Sequence, residues 1–372
     1  MSEISEFRGA TLLIVGGAGF VGSNLCHSLL ESDLASLVIV DNFLSSEMCN
    51  VPEDSRVELI TGSIADDAVL KKLPSNLDYV WHLACYHGNQ SSIADPIADH
   101  DNNMITSLKL FQFLSDRRSV KKVVYAAAGC AVVEKTYGEP VETREDAPVS
   151  LFHDSPYSIS KLVGEMYGNY FFARKQMPFV KARFQNAYGP REILGAGRWR
   201  GTPATVWRNV TPTFVWKSLH GEALPLDNGG NAGRDFIYVD DICRGLVACA
   251  LAGRPGETYN LATGREVLIR EWATLINTVT GSKGGVDLRP VRTWDKSGRR
   301  FGSTTKSRDE LGFVAQVSTE DGIATTINWT RQERELITLA ITKHLVHLDK
   351  FVNPDTSSLW VRPIHESKTF WH

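Results

Sequence analysis

Tyr157 and Lys161 stand four positions apart and carry side chains suited to proton transfer beside an oxidation. Ser155 and Pro156 before them are typical of a helix start, so both side chains should lie on one helical face. A phenol with a pKa of about 10 is a poor base, but a neighbouring ammonium and an oxidised nicotinamide ring both favour its phenolate. Such a pair can take a proton from a sugar hydroxyl while a hydride leaves the same carbon.

A glycine-rich segment near the start of the chain could supply the nicotinamide. Gly16, Gly19 and Gly22 follow an apolar run, residues 11–15, that predicts a buried parallel strand. Their spacing suits a loop that turns tightly, approaches a pyrophosphate with its backbone and packs a helix closely on the strand. A helix beginning near Phe20 would direct its free N–H groups at the phosphates. We therefore predict a dinucleotide site.

The acidic residue expected beyond such a loop is present. A second apolar run, residues 37–40, ends in Asp41, whose carboxylate can accept both hydroxyls of an adenosine ribose. A 2′-phosphate would be repelled by this carboxylate. The sequence therefore favours NAD over NADP as the cofactor.

Strand and helix patterns alternate up to about residue 190, which predicts an α/β fold with a doubly wound parallel sheet, Rossmann-like. Ligands should gather at the carboxyl ends of its strands. The further predicted strands are residues 56–60, 79–84, 122–126 and 179–183.

The division of the chain follows from where this rhythm stops. We expect a NAD-binding domain over residues 1–190, with later returns to the sheet near 234–262. A smaller, discontinuous substrate-binding lobe should occupy residues 191–330. Its first part, the Gly-, Arg- and Trp-rich residues 191–208, is typical of a lid over a cleft. A C-terminal extension, residues 331–372, contains a helical pattern over 333–351 that should pack on the body or on a second subunit.

Composition excludes several classes of protein. The 372 residues carry a net charge of −3, and the isoelectric point is near 6.4, so a nucleic-acid partner is not expected. No apolar run is as long as a membrane span, and residues 1–6 do not match a signal peptide. We expect a cytoplasmic protein. Six scattered cysteines without a C-x-x-C pair indicate neither a metal site nor a disulfide framework.

The chain resembles the extended short-chain dehydrogenases/reductases, in particular the NAD-dependent nucleotide-sugar epimerase/dehydratase family, over roughly residues 10–315. Beyond the glycine loop and the Tyr157/Lys161 pair, the resemblance is carried by residues 41–42, 82–84, 103, 183–190 and 233–241. It implies NAD as cofactor, a nucleotide-diphosphate sugar as substrate and a homodimer. The implied cofactor-binding residues are Gly16, Gly19, Phe20, Val21, Gly22, Asp41, Asn42, Ser63, Ile64, Leu83, Ala84, Asn103, Tyr157 and Lys161.

The resemblance also implies a substrate site. Asn186 should contact the sugar diphosphate, Arg234 should hold a phosphate, and Arg292 should form a second phosphate clamp, since a diphosphate needs fixed, multi-donor cations. Arg198 and Arg200 in the lid are further candidates for contact with the substrate.

The sequence departs from this family beside the predicted base. Relatives usually carry Ser or Thr where this chain has Ala128, and a methyl group cannot donate a hydrogen bond. Cys130, two residues on, occupies the position that relatives use for acid/base chemistry beside a ketone. His87, just past the third predicted strand, is a candidate substrate contact or replacement donor. Ser63 stands where relatives have an acidic residue near the adenine.

Three hypotheses about function follow. The first is a nucleotide-sugar 4-epimerase in which Tyr157 is the base, Lys161 supports it, and a transient 4-keto sugar turns in the pocket. The second keeps this oxidation but uses Cys130 for dehydration or for epimerisation at carbons 3 or 5. The third is a catalytically silent NAD-binding scaffold, motivated by the absence of the Ser/Thr hydroxyl at Ala128.

Overall fold

The computed structural model describes residues 3–129, 139–292 and 298–351. In these residues the strands are β1 Thr11–Val15, β2 Ser36–Asp41, β3 Val57–Thr61, β4 Tyr79–His82, β5 Lys122–Ala128, β6 Glu142–Thr143, β7 Phe179–Phe184, β8 Asn186–Tyr188, β9 Leu224–Asp227, β10 Gly233–Arg234, β11 Phe236–Tyr238, β12 Thr258–Leu261, β13 Val267–Leu268, β14 Val286–Arg289 and β15 Phe301–Gly302.

The α-helices of the same residues surround these strands. They are α1 Phe20–Leu29, α2 Asp67–Leu70, α3 Asn89–Ala94, α4 Pro96–Asp99, α5 Thr106–Ser115, α6 Pro156–Lys175, α7 Val210–Leu219, α8 Val239–Leu251, α9 Ile269–Thr280, α10 Thr305–Leu311, α11 Thr319–Gln332, α12 Arg334–Thr342 and α13 Leu345–Leu348. A π-helical turn, His100–Ile105, joins α4 to α5. None of the described helices is long and apolar enough to cross a bilayer.

The core is a seven-stranded sheet in the order β12-β7-β5-β4-β1-β2-β3, and every pairing in it is parallel. All five residues of β1 are buried, which is expected of a parallel strand covered by helices on both faces. The order runs outwards from β1 in both directions, so the carboxyl ends of β1 and β4 flank a crevice where ligands bind in such folds. The predicted Rossmann-like α/β fold is confirmed.

Two strands lie entirely within residues 234–262, the range predicted to return to the sheet, and they pair differently. Residues 258–261 form β12, which extends the large sheet beside β7. Residues 236–238 form β11, which pairs instead with β8 in a separate two-stranded ladder. Both segments are therefore strands, as their apolar patterns predict, but only residues 258–261 join the large sheet.

The C-terminal helical pattern is divided between two helices. The predicted continuous helix over 333–351 is interrupted after Thr342 and continues as α13 and a short 3₁₀ turn, Asp349–Phe351. Its apolar side chains pack on the lid, residues 191–208, and not on the large sheet. The resulting lid cluster contains the buried residues Ile193, Leu194, Ala196, Val206, Trp216, Ile337, Ala340 and Ile341.

The lid makes close backbone contacts on both sides. Gly195 lies so near α12 that an added Cβ would stand 2.4 Å from the carbonyl oxygen of Ala340. At Gly197 the same atom would lie 2.2 Å from the carbonyl oxygen of Leu44, in the loop that follows β2. Both glycines also have positive φ angles, which other residues rarely adopt. The lid is thus fixed between the C-terminal helices and the sheet.

Candidate active site

The glycine loop joins β1 to α1. Gly16 has φ +90°, and its N–H donates to the carbonyl oxygen of Val40 at 2.7 Å. An added Cβ at Gly22 would lie 2.1 Å from the carbonyl oxygen of Gly16. The two glycines therefore permit a tight turn and close packing of α1 on the loop, which leaves the first N–H groups of α1 facing the cleft. These features fit the pyrophosphate of a dinucleotide.

Asp41 is held firmly by the protein itself. Its Oδ1 accepts hydrogen bonds from Phe43 N at 2.9 Å and Ser46 Oγ at 2.8 Å, and its Oδ2 accepts one from Ala18 N at 3.0 Å. Burial raises the pKa of the carboxyl above its ordinary value, while these hydrogen bonds lower it. Oδ2 retains room for one further donor. The carboxylate is therefore fixed in place at the edge of the cleft, and its binding of the ribose hydroxyls remains a prediction.

Tyr157 and Lys161 lie on the first turns of α6, as predicted. Ser155 is the N-cap of this helix, accepting from Ser158 N, and Pro156 is its first residue. The Tyr157 N–H donates to Ser92 Oγ at 3.1 Å, which ties the helix start to α3. The ammonium of Lys161 donates to the carbonyl oxygen of Ala126 at 2.8 Å and lies 5.9 Å from the centre of the Tyr157 ring. Both side chains line the cleft that contains the glycine loop.

The phenol of Tyr157 is not acidic in the protein alone. Its pKa lies well above the ordinary value because burial disfavours the phenolate, and Cys85, Tyr125 and Asp99 add to this effect. The adjacent ammonium of Lys161 therefore does not by itself make Tyr157 a base. The positive charge of an oxidised nicotinamide would add to that of Lys161 in favouring the phenolate.

Asn103 lies behind the cleft, outside its lining. Its Oδ1 accepts from Tyr86 N at 2.7 Å, and its Nδ2 donates to Asp99 Oδ1 at 2.7 Å and Ser160 Oγ at 3.2 Å. Ser160 precedes Lys161 on α6. The amide therefore links the loop after β4 to the helix that carries both candidate catalytic side chains, and in this structure it has a positioning role.

The residues around the Tyr157 ring include the predicted substitution. Ala128, at the end of β5, packs with Tyr157 and Leu162, so a methyl group lies beside the phenol ring. His87 meets the Tyr157 ring edge to face, with 5.8 Å between ring centres. Burial, followed by the charges of Arg200, Arg208 and Lys161, lowers the pKa of His87 to about 3. It is therefore a neutral imidazole near pH 7. Cys130 lies outside the described residues.

The predicted substrate arginines are dispersed, and none of them lines the cleft. Arg198 is exposed and donates to the carbonyl oxygen of Asn42 at 3.0 Å. Arg200 is buried and donates to the carbonyl oxygen of His87 at 2.9 Å. Arg234 donates to the carbonyl oxygens of Gly233 and Gly298. Arg292 forms an ion pair with Asp227.

One continuous cleft contains most of the other predicted residues. From the predicted set it is lined by Gly16, Gly19, Phe20, Val21, Gly22, Asp41, Asn42, Ser63, Ile64, Leu83, Ala84, His87, Tyr157, Lys161 and Asn186. Polar residues that sequence reasoning missed also line it: Arg191, Glu192, Arg208, Asn209 and Arg300. The unusual composition marked the lid as a segment, but no spacing rule distinguishes Arg208, which reaches the cleft, from Arg198, which does not.

Glu192 brings a buried carboxyl into the lid side of the cleft. The preceding residue, Arg191, has φ +68°, and its guanidinium donates to Asn24 Oδ1 at 3.0 Å. Glu192 Oε1 accepts from Asn209 Nδ2, while Oε2 has no hydrogen-bond partner among the described residues. Burial raises the pKa of Glu192 to about 7, although Asn209 and Arg208 lower it. This side chain can therefore hold or release a proton near neutral pH.

The fold and the cleft are those of a Rossmann-type dinucleotide-binding enzyme. The model of the NAD dependent epimerase/dehydratase family matches residues 12–262, which is more than half of the chain. The chain belongs to this family, whose members are NAD-dependent enzymes. The family predicted from the sequence motifs is therefore confirmed.

Relatives within the family differ in their reactions. The structure of the Bordetella bronchiseptica enzyme WbmF in complex with NAD+ and UDP is 52% identical, with a TM-score of 0.83 over 92% of this chain and 98% of that one. A putative UDP-glucose 4-epimerase of Methanocaldococcus jannaschii is 26% identical over 86% of this chain and 98% of its own length. A dTDP-glucose 4,6-dehydratase of Streptomyces antibioticus is 28% identical over 87% and 93%. These similarities define the class of nucleotide-sugar epimerases and dehydratases without separating the two reactions.

Proposed function

We propose that the protein is an NAD-dependent nucleotide-sugar 4-epimerase in which Tyr157 is the base and Lys161 supports it. The observation that carries this proposal is the meeting of Tyr157, Lys161 and the glycine loop in one cleft. A 4-epimerase needs one base, one coenzyme and room for the sugar to turn. A uridine nucleotide is the first candidate for the substrate, because the related WbmF structure contains UDP.

The residues of the cleft fit NAD. Gly16 and Gly22 allow close backbone packing at the start of α1 that a Cβ would prevent, and Asp41 Oδ2 can accept a ribose hydroxyl. When bound, NAD+ would supply an acceptor for the hydride that leaves carbon 4 of the sugar, and a positive charge beside the phenol. That charge favours the phenolate of Tyr157, which burial disfavours in the protein alone.

Tyr157 Oη then handles the proton of the sugar. It takes the proton from the 4-hydroxyl as this carbon is oxidised, and it returns the proton after the keto sugar has turned and been reduced on its other face. Lys161 holds its ammonium 5.9 Å from the Tyr157 ring and stabilises the phenolate. Ala128 has no hydroxyl to donate a second hydrogen bond to the substrate. Our candidate for that donor is the neutral imidazole of His87, whose ring centre lies 5.8 Å from that of Tyr157.

A solvent-isotope experiment separates this proposal from the alternatives that use Cys130. The protein is incubated with UDP-, GDP- and dTDP-sugars in deuterium oxide, and the products are analysed by NMR and mass spectrometry. Hydride return gives a 4-epimer without carbon-bound deuterium. Dehydration, or epimerisation at carbon 3 or 5, removes a C–H proton to solvent and introduces deuterium, and this result would overturn the proposal.

Replacing the base tests the enzyme against the silent scaffold. Tyr157→Phe should lower turnover by roughly 10²- to 10⁴-fold, the usual contribution of a positioned acid/base, while bound NAD is retained. Tyr167→Phe is the matched control, because Tyr167 lies on the same helix and packs in the apolar core away from the cleft. A scaffold would show no turnover in either variant or in the unmodified protein with any nucleotide sugar.

We also propose a homodimer formed through α6. Ile159, Met166 and Tyr170 are spaced to share one face of this helix, and they are 46%, 52% and 57% exposed. Leu151 and Phe152, just before the helix, are 87% and 74% exposed. Exposed apolar side chains on and just before one helix favour self-association. Light scattering after gel filtration should give twice the chain mass, and Met166→Glu should shift it towards the monomer; a wild-type monomer would exclude the dimer.

A further inference from the structure

The lid directs two arginines inward. Arg208 donates from Nη1 to the carbonyl oxygen of Ser45 at 3.0 Å and from Nη2 to that of Ala196 at 2.7 Å. Arg200, 4% exposed, donates from Nη1 to the carbonyl oxygen of His87 at 2.9 Å. Carbonyl groups fix the orientation of both guanidinium groups without neutralising their charge.

Neither arginine has an ionic partner in the described part of the chain. No carboxylate oxygen among the described residues lies within 4.0 Å of either guanidinium, although the charges of Glu192 and Glu47 act on Arg208. The guanidinium of Arg200 lies 5.6 Å from the centre of the Tyr86 ring. Nε of Arg208, and Nε and Nη2 of Arg200, are buried without an acceptor among the same residues. Burying a cation without a counterion or hydrogen bonds is costly. The arrangement therefore lacks an anion that a ligand could supply.

Position along the cleft indicates which anion fits. Arg208 lines the cleft together with Gly19 of the glycine loop, whereas Arg200 lies behind the lining. The carbonyl group of Ser45, which accepts a hydrogen bond from Arg208, belongs to the loop that follows Asp41, at the expected ribose end. On the other side the charge of Arg208 acts on His87, which contacts the Tyr157 ring at the expected nicotinamide end. The group of NAD between a ribose at Asp41 and a nicotinamide at Tyr157 is the pyrophosphate.

We propose that Arg208 binds the pyrophosphate of NAD from the lid side of the cleft, and that the charge of Arg200 behind it adds to the positive potential there. The lid would then take part in holding the coenzyme as well as in covering the substrate. A charge-assisted hydrogen bond to phosphate is among the stronger polar contacts in proteins. The inference depends on NAD binding in this cleft and not on which sugar reaction follows, so a failed 4-epimerase assay leaves it intact.

Coenzyme titration tests the proposal without an activity measurement. The protein is freed of NAD, and NADH binding is followed by fluorescence, with ADP-ribose and adenosine as competitors. Arg208→Gln should weaken NADH and ADP-ribose binding by roughly 10- to 100-fold, while adenosine, which has no phosphate, competes as well as before. Arg334→Gln is the charge-matched control, because Arg334 is an exposed residue of α12 outside the cleft.

Two further measurements allow for misfolding of Arg208→Gln. Arg208→Lys keeps the positive charge and should retain NADH affinity within a few-fold. In the unmodified protein, NADH affinity should fall with added salt more steeply than adenosine affinity, since screening acts on the charged group.

Several results would overturn the assignment. One is unchanged NADH affinity in a folded Arg208→Gln protein. Another is an equal loss for ADP-ribose and adenosine, which would indicate a general disturbance of the cleft. A third is that Arg208→Gln weakens the binding of UDP-glucuronate more than that of UDP-glucose and leaves NADH binding unchanged. Arg208 would then bind a sugar carboxylate instead.

Discussion

The cleft has two sides: a coenzyme wall, formed by the glycine loop and Asp41, and a lid wall, formed by residues 191–208. The residues that hold the coenzyme wall are close to it in sequence, whereas those that hold the lid wall are remote. The glycine loop is held by Val40 and Asp41, which follow it closely in sequence. The lid is held by remote residues: Arg208 contacts Ser45 across 163 positions, and His344 contacts Gly195 across 149. One wall is therefore determined by a short sequence motif, and the other exists only once the whole chain has folded.

A buried carboxyl in each wall shows the same contrast. Asp41 accepts three hydrogen bonds, from Ala18, Phe43 and Ser46. Glu192 accepts one, from Asn209, and its second oxygen has no partner in the described residues. A charged group is tolerated in a protein interior to the degree that donors surround it. Asp41 is thus better supplied with donors than Glu192, whose pKa of about 7 lets it change its charge near neutral pH.

The most severe expected defect comes from the coenzyme wall. In Gly22→Ala the new methyl group would lie 2.1 Å from the carbonyl oxygen of Gly16 and 2.9 Å from Gly17 Cα. Both are backbone atoms, so the loop must open. We expect complete loss of retained NAD and about 3 kcal/mol lower unfolding free energy, at the upper end of overpacking costs. Coenzyme content after gel filtration and urea denaturation measure the two effects.

Gly281→Ala is the control for this change. Gly281 ends α9 with φ +73° and has open space where a Cβ would be added. A left-handed alanine should cost about 1 kcal/mol and leave NAD binding intact. If Gly22→Ala still retained NAD, close packing of α1 on the loop would not be what forms the coenzyme wall.

The same difference between the two walls explains which parts of the fold and site could be predicted from the sequence. Strands β1 to β5 and β7 were predicted because each is a short apolar run in a strand–helix alternation. The glycine loop, Asp41 and the Tyr157/Lys161 helix were found because their chemistry requires fixed local spacing. These elements are defined by residues within about one supersecondary unit of each other.

The remainder depends on contacts that no local pattern encodes. The partner of β11 is β8 and not the large sheet, and four predicted substrate arginines lie outside the cleft lining while Arg208 is part of it. The side chain of Arg208 is directed by the carbonyls of Ser45 and Ala196. A sequence reader can recognise that a lid is present but cannot tell which of its cations faces inward.

The lid wall should be the one that loosens when the C-terminal helices are weakened. Ile337 on α12 is 2% exposed and belongs to the lid cluster. Ile337→Ala should lower the unfolding free energy by about 2–3 kcal/mol, since a buried isoleucine leaves a cavity that the surroundings fill only in part. Hydrogen exchange should become faster in the lid amides and remain slow in β1 and β2.

Leu339→Ala provides the comparison on the same helix. Leu339 is 69% exposed, so its truncation should change stability by less than about 0.5 kcal/mol. An equal rise in exchange across the large sheet and the lid in Ile337→Ala would mean that the two walls unfold as one unit, contrary to their separate construction.

The last prediction concerns the charge of Glu192, whose effect on stability depends on pH. Its pKa is about 7 in the folded protein and about 4.5 in an unfolded chain. Because the folded state binds the proton more tightly, this group contributes stability that is fully present below pH 4.5 and is lost as the pH rises through 7.

Glu192→Gln removes the titration while keeping the shape of the side chain. The stability of the variant relative to the wild type should therefore increase between pH 4.5 and 7 by about 3 kcal/mol, since each pKa unit corresponds to about 1.4 kcal/mol, and then level off. Melting temperatures of both proteins, free of ligand and measured from pH 4.5 to 9, provide the test. A difference that does not vary with pH would mean that Glu192 is as well solvated by donors as Asp41, and the contrast between the two walls would then not extend to their charges.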